Sequence, residues 1–516
     1  MNCTRRTFVA LGASALAGAT AGCGKEKSSL LEWIGRPSAP DLDGALTPPA
    51  ATEVDEISHL LNRLTFGPRP GDYAHATALG AAGYVEEQLA PERLDDWHCE
   101  RIIRHEFDEL SDPDSHLFPR RSNAQDPMQQ LFPALKDRGS RVGDLYEFKS
   151  DALLHDLTRA AILRATLSRR QLFEVMAQFW TDHFNVDPSK GEGKWLEAAN
   201  DRDVIRRHAL GNFRDLVRAS AISPAMLWYL DGRVNQVKNA GDKPNENYAR
   251  ELMELHTLGV HGGYTQHDVM EVARCLSGWT VRDQHQLIKG EVEFDPKRHD
   301  NGEKSVLGQE IPAGLGAGDL DRVLEIVVRH PSTAQHLATK LCRRFIADDP
   351  PSTAVATVAA AFTRSDGHIP EILRALFATP EFAAARGTKL KRPFHFVVSA
   401  LRAANAATDG GHPIVNALLR MGHAPFRYPT PDGYPEVATH WTNTLLWRWN
   451  FAVSLSGNQL AGTKIDLAVL QEKLGGAPAL YASCLGRAPT AGELRACSDS
   501  GNGLALILAS PAFQRF

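Results

Sequence analysis

The sequence predicts a mainly α protein, a multi-helical, bundle-like fold with a small β-hairpin insertion near 280–310. Three observations carry that expectation. Apolar residues recur at helical spacing through most of the chain, as in Ile57, Leu60, Leu61 and Leu64, or Leu172, Met176, Phe179 and Trp180. Helix punctuation fits these stripes: Ser223-Pro224 opens one segment, and Gly259 closes another. Only between 280 and 308 does the habit change, where Glu291-Val292-Glu293-Phe294 alternates like a strand.

In chain order, Thr4-Arg5-Arg6-Thr7-Phe8-Val9 and the small apolar run to Ala21 read as a twin-arginine export signal over 1–22. Two processing routes stay open. Ala19-Thr20-Ala21 suits a signal peptidase, and Ala21-Gly22-Cys23 resembles a lipoprotein box in which Cys23 takes a lipid. Either puts the protein in the periplasm or cell envelope, with membrane contact only through the signal or a lipidated Cys23. Residues 23–52, with Pro37, Pro40, Pro48 and Pro49, read as a disordered linker, and 53–516 as one helical domain with a possible internal boundary near 310–320.

Helices are expected from Glu53 up to a break at Phe66–Gly71, then to about Leu89, over 151–167 and 171–184, at 202–221, from Pro224 and over Gln266–Leu276. They resume at 319–330, 333–346, 352–364, 369–378 and 393–406, and two or three short ones form the tail. Residues 110–125 read as a loop, and Tyr428–Pro435 as a rigid one. His299-Asp300-Asn301-Gly302 is a turn signal, placing His299 and Asp300 at a hairpin tip.

Composition excludes several classes. A net charge of -5 gives no electrostatic case for a nucleic-acid partner. No run after the N-terminus is long and apolar enough to span a bilayer. Cys99, Cys275, Cys342, Cys484 and Cys497 are no disulfide framework, although Cys484 and Cys497 could pair after export. Gly-x-Ser-x-Gly, His-Glu-x-x-His and a phosphate-binding loop are all missing, and Glu56-x-x-His59 is the sole Glu-x-x-His.

The stretch Asn245–Gly259 is the densest polar feature. At about 100° per residue, Glu246, Asn247, Arg250, Glu251 and Glu254 share one arc, while His256 lies on the apolar one. These groups either form an i, i+4 ladder in water or line a cleft. His183 and Arg164 sit in apolar stripes and demand partners, for which Glu251 and Glu254 are candidates.

The chain resembles the family called domain of unknown function 1800. The motifs are His59–Pro68, Phe179–Val186, His208–Arg214, Asn245–Gly259 with Gly263-Tyr264-Thr265, Ser277-Gly278-Trp279, His299-Asp300, Lys340–Phe345 and Pro431–Pro435. It departs at Thr181-Asp182, where relatives often carry His-Asn. The resemblance implies a mostly helical exported protein, often with a twin-arginine signal and in genomic company with an exported sulfatase-like family. It implies no activity.

Two functions follow as expectations. In the first, an exported enzyme gathers His183, Glu251, Glu254, His299 and Asp300 in one polar pocket. Glu251, Glu254, Asn247 and Arg250 do the chemistry there, and His183, His299 and Asp300 hold a divalent metal. In the second, the polar strip is a non-catalytic interface for an exported partner or polymer, with Trp441 or Trp447 as an anchor.

Overall fold

A computed structural model describes residue 42 and residues 46–111, 139–239, 241–282 and 290–516, with side chains of the helix starting at Gly139 described from 149 onward. The export signal, most of the linker and all but the first two residues of the loop expected near 110–125 lie outside the described residues; those two end a short 3-10 turn, Asp108–Ser111.

Local chemistry starts the helices. In α1 (Glu56–Leu64), Asp55 accepts the Ser58 amide at 2.7 Å. The turn at Gly67 leads into α2 (Asp72–Leu89), which bends at Gly80, and then α3 (Trp97–Glu106). α4 (Gly139–Leu167) and α5 (Gln171–His183) follow, and the expected stripe Leu172, Met176, Phe179 and Trp180 is buried. α6 (Gly193–Ala199) passes into a π-helical segment, Asn200–Arg206. Next come α7 (Phe213–Ala221), capped by Asn212, and α8 (Pro224–Tyr229), capped by Ser223.

The Asn245–Gly259 stretch is helical but not uniform. α9 (Asn247–Glu251) changes to π-helical pitch over Leu252–Thr257, and Gly259 ends it in the left-handed region. α10 (Gln266–Cys275) opens on a capping box of Thr265 and Asp268.

The β insertion is two antiparallel hairpins rather than one. β1 (Trp279–Val281) pairs with β2 (Val292–Phe294), and β3 (Lys304–Val306) with β4 (Gln309–Ile311). His299 and Asp300 lie on the connection between them. The second hairpin turns at Leu307-Gly308, both at positive φ as a tight two-residue turn requires. His299 is buried because its ring packs on Phe294 and its Nδ1 bonds the Ser277 carbonyl at 2.8 Å.

The C-terminal half comprises α11 (Gly318–Val328), α12 (Pro331–Phe345), α13 (Ser352–Arg364), α14 (Ile369–Phe377), α15 (Pro380–Ala384), α16 (Pro393–Ala403), α17 (His412–Arg420) and α18 (Leu445–Ser456). A tail of α19 (Leu467–Leu474), α20 (Ala477–Leu485), α21 (Ala491–Ser500) and α22 (Gly503–Ala509) is one helix longer than expected. A short antiparallel pair with no sequence signal, β5 (Ala407–Thr408) and β6 (Thr463–Lys464), crosses between the halves of this region. One apolar cluster runs from Leu60 to Phe513. Cys484 and Cys497 are buried free thiols, so they are not bridged. Trp441 is no surface anchor: it is buried, stacks on His423 at 4.9 Å and donates to the Pro435 carbonyl.

Candidate functional site

Four of the family motifs, Phe179–Val186, His208–Arg214, Asn245–Gly259 and Lys340–Phe345, meet where α5 ends. His183, the last residue of α5, is enclosed by Phe179, Trp180, Phe184 and Phe213. Its Nε2 lies 3.1 Å from the His256 carbonyl, and its Nδ1 lies 2.8 Å from the Lys340 amine. A carbonyl can only accept and an ammonium can only donate, so the ring is neutral with its proton on Nε2. Burial, reinforced by Lys340, holds its pKa well below the ordinary value.

The π-helical turn explains why those carbonyls are available. At its end the Leu258 amide bonds Met253, five residues back, leaving the Leu255 and His256 carbonyls to side chains. His336 Nε2 meets the Leu255 carbonyl at 3.1 Å, while His183 takes that of His256. His256 itself is fully buried, with burial lowering its pKa to about 3, and both ring nitrogens lack a hydrogen-bond partner among the described residues. As expected, it does not share the polar face of its helix.

Asp182, beside His183, heads a buried ion network. It binds Arg392 at 2.7 Å; Arg392 reaches Glu436 at 3.2 Å, and Arg344 and Lys389 stand 3.8 and 3.9 Å from the same carboxylate. Lys389 also binds Asp348 at 2.6 Å. The Tyr428–Pro435 loop is clamped over this network. Asn185 donates to the Tyr428 and Thr430 carbonyls at 2.9 and 2.8 Å, and Tyr229 donates to that of Pro429. Gly433, at φ +73°, lies so close to Asp182 that a Cβ would overlap the Asp182 carbonyl oxygen.

The loop brings Asp432 to an acidic rim. Glu251 and Glu254 are half-buried on α9 and its π-helical extension, and Asp432 is exposed. Burial, then Glu254, raises the Glu251 pKa, with Asp432 adding to the effect and Arg250 opposing it. Tyr264 is raised by burial and by Glu254, and Tyr229 by burial, Asp187, Glu251 and Asp432. Burial brings Lys340 down to about 8, while Asp182 and Asp432 pull it back up. Asp432 therefore acts on both Glu251 and Lys340.

The remaining expected site residues go elsewhere. Arg250 pairs with Glu246 at 2.9 Å and Gln266 at 2.8 Å, so the ladder reading holds for this part of the strip. Asn247 is exposed and lies 3.4 Å from Asp231. Asp300 is forked by Arg274 at 2.7 and 3.2 Å, and the same guanidinium holds Glu271. His299 Nε2 faces Asp319 at 3.2 Å, and Asp319 binds Lys304 at 2.6 Å. That ion pair fixes the second hairpin to the first turn of α11, where a carboxylate suits the helix dipole.

The expected metal triad of His183, His299 and Asp300 is thus not assembled. Each member is engaged by a different partner, and no three His, Cys, Asp or Glu among the described residues group so as to hold a metal ion. Nor does His183 or Arg164 find Glu251 or Glu254; Arg164 stands 3.5 Å from Asp201 instead. A cavity of about 810 Å³ lies apart, between Arg69, Asp72, His75, Glu87, Trp97 and Arg402, and no expected site residue lines it.

His336, Arg392 and Glu436 escaped the sequence reading, and Asp182, Lys340 and Asp432 stood there only within family motifs, not as site residues. A signal existed for one pair. Leu337, Leu341 and Phe345 mark the inward stripe of α12, and Lys340 and Arg344 sit beside them at the same spacing.

Fold and site together define a mainly helical protein with a buried ion-pair core beneath an acidic, tyrosine-bearing rim. The chain belongs to the family described as "Protein of unknown function (DUF1800)", which matches residues 59–515. No curated protein and no solved structure matches it.

Proposed function

We propose that this is an exported envelope enzyme performing acid–base chemistry on a polar substrate at the Glu251–Glu254–Asp432 rim. One observation carries the reading: Glu251 lies half-buried beside Glu254, and its carboxyl is held above the ordinary range by burial and by that neighbour. Two carboxyl groups three residues apart on one face of the helix can offer an acid and a base to a substrate bound over them. Lys340, paired with neutral His183, supplies a cation behind the rim for developing negative charge. The acidic rim suits a substrate rich in hydroxyl or amino groups, such as an envelope polymer.

The Arg5-Arg6 signal supports twin-arginine export as part of this proposal, with cleavage after Ala21 or lipidation at Cys23. An exported sulfatase-like partner belongs to it as well.

The test incubates purified protein with peptidoglycan sacculi and follows release of reducing ends or free amines. Wild-type protein is expected to release product, and Glu251→Gln and Glu254→Gln to lose roughly a hundredfold or more of that rate. Equal release by all three proteins would contradict the reading.

A second reading, a non-catalytic binding or assembly factor, is favoured by one feature. The buried charges Asp182, Arg344, Arg392 and Glu436 pair with one another and so support structure. A stable complex with an exported partner that is lost in Glu251→Arg, without any turnover, would favour it.

A further inference from the structure

We propose that the outer face of α17 and α18 docks on an anionic phospholipid surface. The inner face of α18 is fastened by Arg448, which bonds Gln514 at 2.7 Å and Thr444 at 2.9 Å, and by buried Phe451, Ala452 and Leu455. Its outer face is apolar and open: Leu445, Leu446 and Trp449 are 53%, 67% and 44% exposed. Leu419, at the end of α17, is 45% exposed and adjoins Arg420, whose guanidinium lies 4.8 Å from the Trp447 ring and so ties the two helices together.

A large apolar side chain alone at a surface needs no explanation, but four grouped beside an arginine do. Charge selects the occupant. In a chain of net charge -5, residues 410–465 carry only two acids, exposed Asp432 and ion-paired Glu436, while Arg420, Arg427, His440 and Lys464 are all exposed. Exposed leucines beside a tryptophan, with the Arg420 guanidinium next to them, match the interface of an anionic bilayer. No described helix is long and apolar enough to cross the membrane, so the contact is peripheral.

The test is co-sedimentation of the full chain with phosphatidylcholine vesicles containing phosphatidylglycerol, compared with Leu446→Glu/Trp449→Glu. Export signal and Cys23 are the same in both proteins, so the difference reads the patch. The double variant is expected to keep its circular dichroism and bind about tenfold or more weakly, and wild-type binding to fall as salt rises. Equal binding by both proteins, or equal binding to phosphatidylcholine alone, would overturn the proposal. So would wild-type self-association abolished by the substitutions, which would assign the face to a second copy of the chain.

Discussion

The amine of Lys340 stands 2.8 Å from Nδ1 of His183, joining α12 to the end of α5 beneath the acidic rim. Because the imidazole is buried and neutral, the pair carries one positive charge shared along a short hydrogen bond. Lys340→Met removes a charge that depresses His183, whose pKa should then rise while burial keeps it below 6.5. Imidazole NMR titration checks this. His183→Ala also empties an aromatic cage and should cost about 3 kcal/mol in urea unfolding.

Glu436 is the acceptor on which Arg392, Arg344 and Lys389 converge. Glu436→Gln leaves those cations under-compensated in a water-poor environment. A loss of about 3–5 kcal/mol is expected from denaturant midpoints. A change below about 1 kcal/mol would mean that solvent already screens the network.

Acid should unfold this protein through its histidines. Burial lowers His59 and His256 to about 3 and His336 to about 4, and holds His183, His395 and His423 well below the ordinary value. Unfolded, each titrates near 6.5, so below that pH the unfolded chain binds protons the native state refuses. Their stabilisation is therefore present above about pH 6.5 and lost as pH falls toward the folded values, by about 1 kcal/mol per histidine between pH 7 and 5.5. Urea midpoints across this range test it, and a flat profile would contradict it.

Gly433→Ala should displace the Tyr428–Pro435 loop, since the added methyl meets the Asp182 carbonyl and φ is positive. The expected cost is about 2–4 kcal/mol, read from thermal unfolding, with Asp432 moved away from the rim.

The fold class was legible because amphipathic stripes and caps are local: Asp55, Ser223 and Thr265 open helices as their side chains dictate. The inward position of His183 was legible for the same reason. Its partner was not, because Lys340 lies far along the chain and an isolated lysine in a helix ordinarily reads as solvated. His299 and Asp300 looked like a hairpin tip because Asp-Asn-Gly favours turns. Burial under Phe294 and the pull of Arg274 and Asp319 decided otherwise. Glu251 and Glu254 were legible as a polar strip. Asp432, which completes the rim, depends on a loop fold that no local periodicity encodes.

Under the proposed function, Glu251 and Glu254 act as a coupled acid–base pair. Carboxyl carbon NMR titration of Glu251, in wild-type protein and in Glu254→Gln, tests it most directly. The expected result is a Glu251 pKa above the ordinary glutamate value that moves down when Glu254 loses its charge. An ordinary value in both proteins would contradict it.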